Sequence, residues 1–270
     1  MTLLIHSMSE FSDIIVKAMD IANVSRIAEI GAEYGGMTSV LANHAAANEG
    51  HLFSVDPTPK QEFLDWVNAQ KQVTHIAKPS LEAIPELKHI DAWLIDGDHN
   101  WYTVYHELKA IKATCERDDK PLLAILHDVC WPSANRDMYY APDRIPEEYR
   151  HDYCMDGGAK PGRSGLLREQ GFRGMGQFGW ALHEGGERNG VKCAVVDFID
   201  EAEASGRPLA YAEIPAVFGL GIMFDANAPW ASPLSDLLIP YHDNPLIAKL
   251  EQNRLANYLT VLDWQDGAIV

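Results

Sequence analysis

The stretch Arg26-Ile27-Ala28-Glu29-Ile30-Gly31-Ala32-Glu33-Tyr34-Gly35-Gly36-Met37-Thr38 decides how this chain is read. A short apolar run ends in a glycine turn and a helical pattern follows, the way a parallel strand hands over to a helix whose free N–H groups can meet a ligand. Working outward, RIAEIG (26–31), HLFSVD (51–56), QVTHIA (72–77), IDAWLID (90–96) and PLLAILHD (121–128) read as short buried strands. Each is expected to lead into a helical segment of ten or more residues. The clearest such helix starts near Trp101, with Trp101, Val104, Tyr105, Leu108 and Ile111 on one apolar face. This is a βαβ series, and it predicts a doubly wound α/β sheet. Phe11, Ile14, Ile15, Ala18, Ile21 and Ala22 recur at helical spacing, so an N-terminal helix is expected over 8–24.

Beyond the fifth strand the alternation breaks. Between 131 and 190 lie 11 of the 20 glycines, together with Pro132, Pro142, Pro146 and Pro161, so no long helix fits. Seven of the 11 arginines also fall here, leaving 8 Lys+Arg against 9 Asp+Glu. The segment reads as an insertion within a single domain of 1–270, a lid or substrate wall rather than a plain connection. Its neighbours regain pattern: 191–202 reads as a helix, 209–225 as two strands in an antiparallel hairpin, and 245–264 as a closing amphipathic helix. Leu255, Tyr258, Leu259 and Leu262 of that helix face either the domain or a second copy of the chain, which would make a homo-oligomer.

Composition narrows the function. The formal net charge of −17 disfavours a nucleic-acid or anionic-membrane partner. Cys115, Cys130, Cys154 and Cys193 form no C-x-x-C pair, which argues against a zinc ribbon or disulfide framework and fits a reducing, cytoplasmic setting. No apolar run is long enough to span a bilayer, and the first residues lack the basic start of a signal peptide.

The glycine turn carries the first chemical clue. A dinucleotide needs G-x-G-x-x-G so that its pyrophosphate meets bare backbone, but here the second glycine position is Glu33 and Glu29 stands just before the turn. Carboxylates repel a pyrophosphate and suit a cation; S-adenosylmethionine (SAM) brings a sulfonium and an ammonium without phosphate. The plainer alternative is that Glu33 points to solvent and Glu29 caps backbone amides. No G-K-[ST] follows, so a Walker-type loop is excluded. Asp56 ends the next strand, where an acid can accept both hydroxyls of a ribose.

A second cluster sits at the ends of strands four and five: Asp96-Gly97-Asp98-His99-Asn100 and His127-Asp128. Ligands collect at that edge of a doubly wound sheet, and strand four is expected beside strand one. Asp96 and Asp128 could offer oxygen ligands to a divalent cation such as Mg²⁺. His127 joins them if the strand bends, since adjacent strand residues otherwise face opposite sides. His99 has the intrinsic pKa of a general base, and Asp98 is expected to cap the helix that starts at Trp101. The alternative for all of them is a polar network closing the sheet edge.

Taken in order and spacing, EIGAEYGG, FSVD, IDGDHNWYTVYHEL and ILHDV resemble the class I SAM-dependent methyltransferases over about residues 25–130. The D-G-D-H followed by H-D is similar to the branch that contains metal-dependent O-methyltransferases of small molecules and cephalosporin-hydroxylase-like proteins. The resemblance implies a Rossmann-like seven-stranded sheet of order 3-2-1-4-5-7-6 with the last strand antiparallel. It implies that Gly31, Gly35 and Gly36 pass the methionine part of the cofactor, with Glu29, Ala32, Tyr34 and Asp96 completing that set. Asp56 would hold the ribose and Ser80 would lie near the adenine. Asp96, His127 and Asp128 would be metal ligands, and His99 with Asp96 the catalytic pair. The chain departs from the family pattern at His127, where an acid is usual, and at Pro79, where an acid often precedes the serine.

These readings predict a SAM-dependent methyltransferase acting on a hydroxyl of a small-molecule acceptor with help from a divalent metal. Arg136, Tyr139, Tyr140, His183 and Glu184 of the insertion are candidates for contacting that acceptor. The alternatives are a metal-dependent hydroxylase of secondary metabolism, a non-catalytic SAM-binding assembly protein and, last, a NAD-dependent dehydrogenase.

Overall fold

The protein was examined as a computed structural model, which describes residues 4–32, 35–265 and 267. A 3-10 turn, Met8–Phe11, runs into α1 (Ser12–Ile21), so the first helix is shorter than its apolar pattern and is tightened at its start. There follow β1 (Arg26–Ile30), α2 (Gly36–Ala47), β2 (His51–Val55), α3 (Gln61–Asn68), β3 (Val73–Ile76), α4 (Ser80–Ala83), β4 (Ala92–Ile95), α5 (Trp101–Asp118) and β5 (Leu123–His127). The insertion contributes β6 (Met138–Tyr139), β7 (Tyr153–Cys154), β8 (Gly157–Gly158), β9 (Leu167–Arg168) and β10 (Gly179–Ala181). The chain ends with α6 (Val191–Ala204), β11 (Leu209–Ile214), β12 (Leu220–Asp225), α7 (Ala231–Leu238) and α8 (Pro245–Gln265).

The large sheet has the order β11-β12-β5-β4-β1-β2-β3. Its first five strands pair in parallel, and β12 runs antiparallel to both β5 and β11. Counting only its own strands, this is 3-2-1-4-5-7-6, the expected Rossmann-like order. Central strands are buried on both faces, and alternate residues sort into two layers. Ile27, Leu123 and Ile125 pack with Met19, Leu41 and Leu234 of α1, α2 and α7. Ala28, Ile30, Ala124 and Leu126 pack with Leu108 and Val195 of α5 and α6 on the other side.

Two expectations fail locally. The segment after β3 is only the four residues of α4 and a 3-10 turn, Ile84–Glu86, because Pro85 lacks the N–H that a longer helix would need. Strand five leads into the insertion and reaches a helix only at α6. The cap of α5 is Asn100, whose side chain accepts from Thr103 N at 2.9 Å; Asp98 takes the Thr103 hydroxyl at 3.3 Å instead.

The insertion is built around a buried polar buckle. Asp137, fully buried, accepts from Trp101 N at 2.7 Å, Gly190 N at 2.6 Å and the Tyr139 hydroxyl at 2.7 Å. Asn189 accepts from Asp137 N at 2.7 Å and donates to the carbonyls of His183 and Gly185. Arg136, 1% exposed, donates to the carbonyls of Ala181 and Ser164. A small sheet, β6-β10-β7, sits on this base.

At the sheet edge the glycine turn is fixed by space as well as by dihedral. Gly31 has φ +87, and a Cβ there would stand 2.2 Å from the Asp96 carbonyl oxygen. Gly31→Ala is therefore expected to lower stability by ~2 kcal/mol or more, read as a fall in the denaturant midpoint at constant m. An unchanged midpoint would show that the β1 and β4 loops can separate.

Candidate active site

A cleft of about 960 Å³ opens at the carboxyl ends of β1, β2, β4 and β5. Gly31, Asp56, Ser80 and Asp96 line it on the side of the parallel strands. Asp56 accepts from Thr58 N at 2.8 Å and from Ala32 N at 3.4 Å, which fixes its carboxylate at the rim. A smaller neighbouring pocket of about 240 Å³ is lined by Glu29, Gly31, Ala32, Gly36 and Asp96, with Ser7 and Ser9 of the N-terminal turn across from them. Gly35, at φ +78, shapes the turn from outside both spaces. Tyr34 and Glu33 lie outside the described residues.

Glu29 is 3% exposed and accepts from the hydroxyls of Thr38, at 2.8 and 3.0 Å, and Ser54, at 3.0 Å, rather than from backbone amides. Burial raises its carboxyl to about 8 against the pull of those hydroxyls. The expectation of a fixed negative charge before the turn is thus corrected: with no cation beside it, Glu29 is mostly neutral at pH 7.

The second cluster is drawn together by a backbone device. Asp128 has φ +59, so the chain leaves β5 through a left-handed residue and the side chains of His127 and Asp128 meet. His127 Nδ1 lies 3.2 Å from Asp96 Oδ1 and 3.3 Å from Asp128 Oδ2, while its Nε2 is 2.9 Å from the Val217 carbonyl. His99 Nε2 lies 3.1 Å from Asp128 Oδ2 and 3.5 Å from Asp96 Oδ1, close enough for charge attraction but without aligned hydrogen bonds. Donor atoms of Asp96, His99 and Asp128 all lie within 4.8 Å of one another, so His99 stands with the carboxylates as closely as His127 does. Burial alone would raise Asp96, but the imidazoles of His127 and His99 outweigh it and hold the acid at about 2. Burial disfavours both imidazolium ions, yet the carboxylates prevail: His99 is raised and His127 is raised well above the ordinary value.

Of the insertion residues, Tyr140 reaches the cleft and is 49% exposed. Arg136 and Tyr139 do not, because both are locked in the buckle, each 1% exposed. His183 and Glu184 also lie away from the cleft; Glu184 sits 4.0 Å from Arg136, and His183 bridges to Gly165. The outer wall is aromatic instead: Phe172 and Phe178 from the insertion, Phe218 from the β11–β12 turn and Tyr258 from α8. None of the four is marked by a motif in the sequence. Phe218 and Val217 have positive φ, a strained turn that only coordinates reveal. Glu107 of α5 also lines the cleft, and here a signal was present, an acid one helical turn beyond Val104 on an otherwise apolar face.

Residues 28–119 match the family model described as a methyltransferase domain. That span runs from β1 to the end of α5 and holds the glycine turn, Asp56, Ser80, Asp96 and His99. This part of the chain is therefore similar to a methyltransferase domain and lies on the parallel half of the sheet described above. No match is found among curated proteins. Among solved structures, the chain is similar to a putative caffeoyl-CoA O-methyltransferase from Staphylococcus aureus (14% identity, 80% of this chain and 83% of that one, TM-score 0.44). It is also similar to a putative O-methyltransferase from Klebsiella pneumoniae (16%, 81% and 80%, TM-score 0.45). A third is an O-methyltransferase from Bacillus cereus in complex with S-adenosylhomocysteine (12%, 81% and 81%, TM-score 0.47). At these identities and scores the likeness says nothing of substrate.

The raised Glu29 carboxyl has a thermodynamic consequence. Between its ordinary value of 4.5 and about 8 the folded state keeps a proton that the unfolded chain has lost, so stability falls as pH rises through that window. Glu107 is raised to about 8 as well and adds to the same slope. Glu29→Gln is expected to remove its share, a few kcal/mol at most, so that denaturant midpoints fall less steeply between about pH 5 and 8. Parallel profiles for wild type and variant would count against a protonated Glu29.

Proposed function

We propose that this chain is a SAM-dependent O-methyltransferase acting on a small hydroxylated, largely apolar acceptor with help from a divalent cation. One observation carries the reading. The cluster of Asp96, His99, His127 and Asp128 sits in a single cleft, with the glycine turn, Asp56 and Ser80 to one side and the aromatic wall of Tyr140, Phe172, Phe178 and Phe218 to the other. The cleft has room for a nucleoside cofactor and a small acceptor together.

SAM when bound supplies an electrophilic methyl group, and a divalent cation supplies charge stabilisation to an acceptor oxyanion. The donor set fits such a cation: the partly exposed Asp96 carboxylate, the buried Asp128 carboxylate, and an imidazole whose Nε2–H goes to Val217, so that Nδ1, once it has given up its proton, would turn its lone pair toward both acids. Asp96, Asp128 and His127 would hold it. His99, whose ring nitrogens have no aligned partner, takes the acceptor's proton in its neutral form. Carboxylates engaged with a cation no longer raise His99, which favours that form. The aromatic wall excludes water and orients the acceptor, so that positioning supplies much of the rate.

An imidazole beside two carboxylates suits iron or manganese too, and this keeps metal-dependent hydroxylation as the second reading. Product mass separates the two. With SAM, Mg²⁺ or Mn²⁺ and a panel of phenolic and aliphatic hydroxyl acceptors, we expect gain of a methyl group, lost by ~10²-fold or more in Asp96→Asn and His99→Gln. Gain of oxygen favours the second reading. Absence of any heat or thermal shift with S-adenosylhomocysteine would leave a non-catalytic assembly role, and full turnover in Asp96→Asn would overturn the site.

A further inference from the structure

Glu107 is a polar group with no use in the scheme above. It lies on the buried face of α5 between Val104 and Leu108, is fully buried, and both its carboxyl oxygens lack a hydrogen-bond partner. An unpartnered buried carboxyl costs on the order of 1–3 kcal/mol, and a helix surface made of Val, Leu and Ile gives no packing reason to keep one. It lines the same cleft as Ser80, Leu81 and Thr103, on the helix that packs against α4.

We propose that Glu107 reads the amino edge of the adenine, accepting from the exocyclic 6-amino group of the cofactor; this rests on the SAM reading above. Asp56, at the end of β2, marks the ribose, and the cleft continues from it to the β3–α4 loop and the first turns of α5. A base extending that way meets few polar side chains. Ser80 offers a hydroxyl, Pro79 has neither an acid nor an N–H, and Asp98 is occupied by the Thr103 hydroxyl at 3.3 Å. Glu107 fills that gap. Burial raises its carboxyl to about 8, and the Asp98 charge reinforces the shift. At pH 7 it therefore offers one acceptor and one O–H donor side by side, the complement of the adenine 6-amino group and N1.

The test is calorimetry on the full chain with S-adenosylhomocysteine and with its 6-desamino purine analogue. Wild type should bind the desamino compound at least tenfold more weakly, since a buried acceptor left unpaired costs about that much. Glu107→Leu should bind S-adenosylhomocysteine at least tenfold more weakly and lose the preference, while melting without ligand no lower than wild type. Glu107→Gln, which keeps an acceptor and a donor, should retain the preference. Equal binding of the two compounds by wild type overturns the proposal even if Glu107→Leu fails to fold. So does an unchanged preference in Glu107→Leu, and in both cases the SAM reading survives. If wild type binds neither S-adenosylhomocysteine nor SAM, that reading itself fails and takes this proposal with it.

Discussion

The contact on which the site depends is the approach of His127 Nδ1 to Asp96 Oδ1, 3.2 Å across the ends of β4 and β5. Four charged or chargeable groups meet there almost out of water, and each alone would be expelled by its desolvation. They stay because each is compensated: His127 by Val217 behind it, and Asp96 and Asp128 by the two imidazoles. Separate parts of the chain must close to make the arrangement. Met138 N of the insertion donates to the His99 carbonyl at 2.9 Å, and Cys130 N donates to the Phe218 carbonyl at 2.7 Å. The strained β11–β12 turn and the left-handed residue at Asp128 are the backbone distortions that this closure requires.

What could be read from the sequence follows from how local each signal is. Strands such as RIAEI and LAILH announce themselves because a strand covered on both faces is apolar at nearly every position, whereas the full strand order was expected only from the resemblance to class I methyltransferases. Asp56, Asp96 and Asp128 are legible because each ends such a strand. The pairing of His127 with Asp128 was legible only on the condition that the strand bends, since alternation otherwise turns the two to opposite faces; the positive φ of Asp128 is that bend. The aromatic wall was not legible, because Phe172, Phe218 and Tyr258 come from three distant segments that meet through tertiary packing alone.

The insertion shows how composition can mislead. Seven of the chain's arginines crowd into it, yet Arg136 spends its donors on main-chain carbonyls and Arg188 lies over the rings of Trp101 and Tyr149. A segment poor in regular structure has many carbonyls without ladder partners, and guanidinium groups satisfy several at once. The conspicuous polar residues Arg136, Asp137 and Asn189 form the foundation, and the insertion lines the cleft with Met138, Tyr140, Ile145, Phe172 and Phe178 together with Arg144 and Gln177.

Burial raises the Glu29 carboxyl to about 8, so at neutral pH it is not a full standing negative charge at the glycine turn. A buried neutral acid still discriminates between ligands. Beside a cation it ionises, gaining attraction in a medium of low dielectric, and it releases its proton to solvent. Beside a pyrophosphate it can only stay neutral, and the nearby charges of Asp56 and Asp96 remain repulsive. On the proposed function, the turn selects a positively charged sulfur nucleoside through a proton given up on binding, a selectivity that no count of acidic residues in the sequence would have revealed.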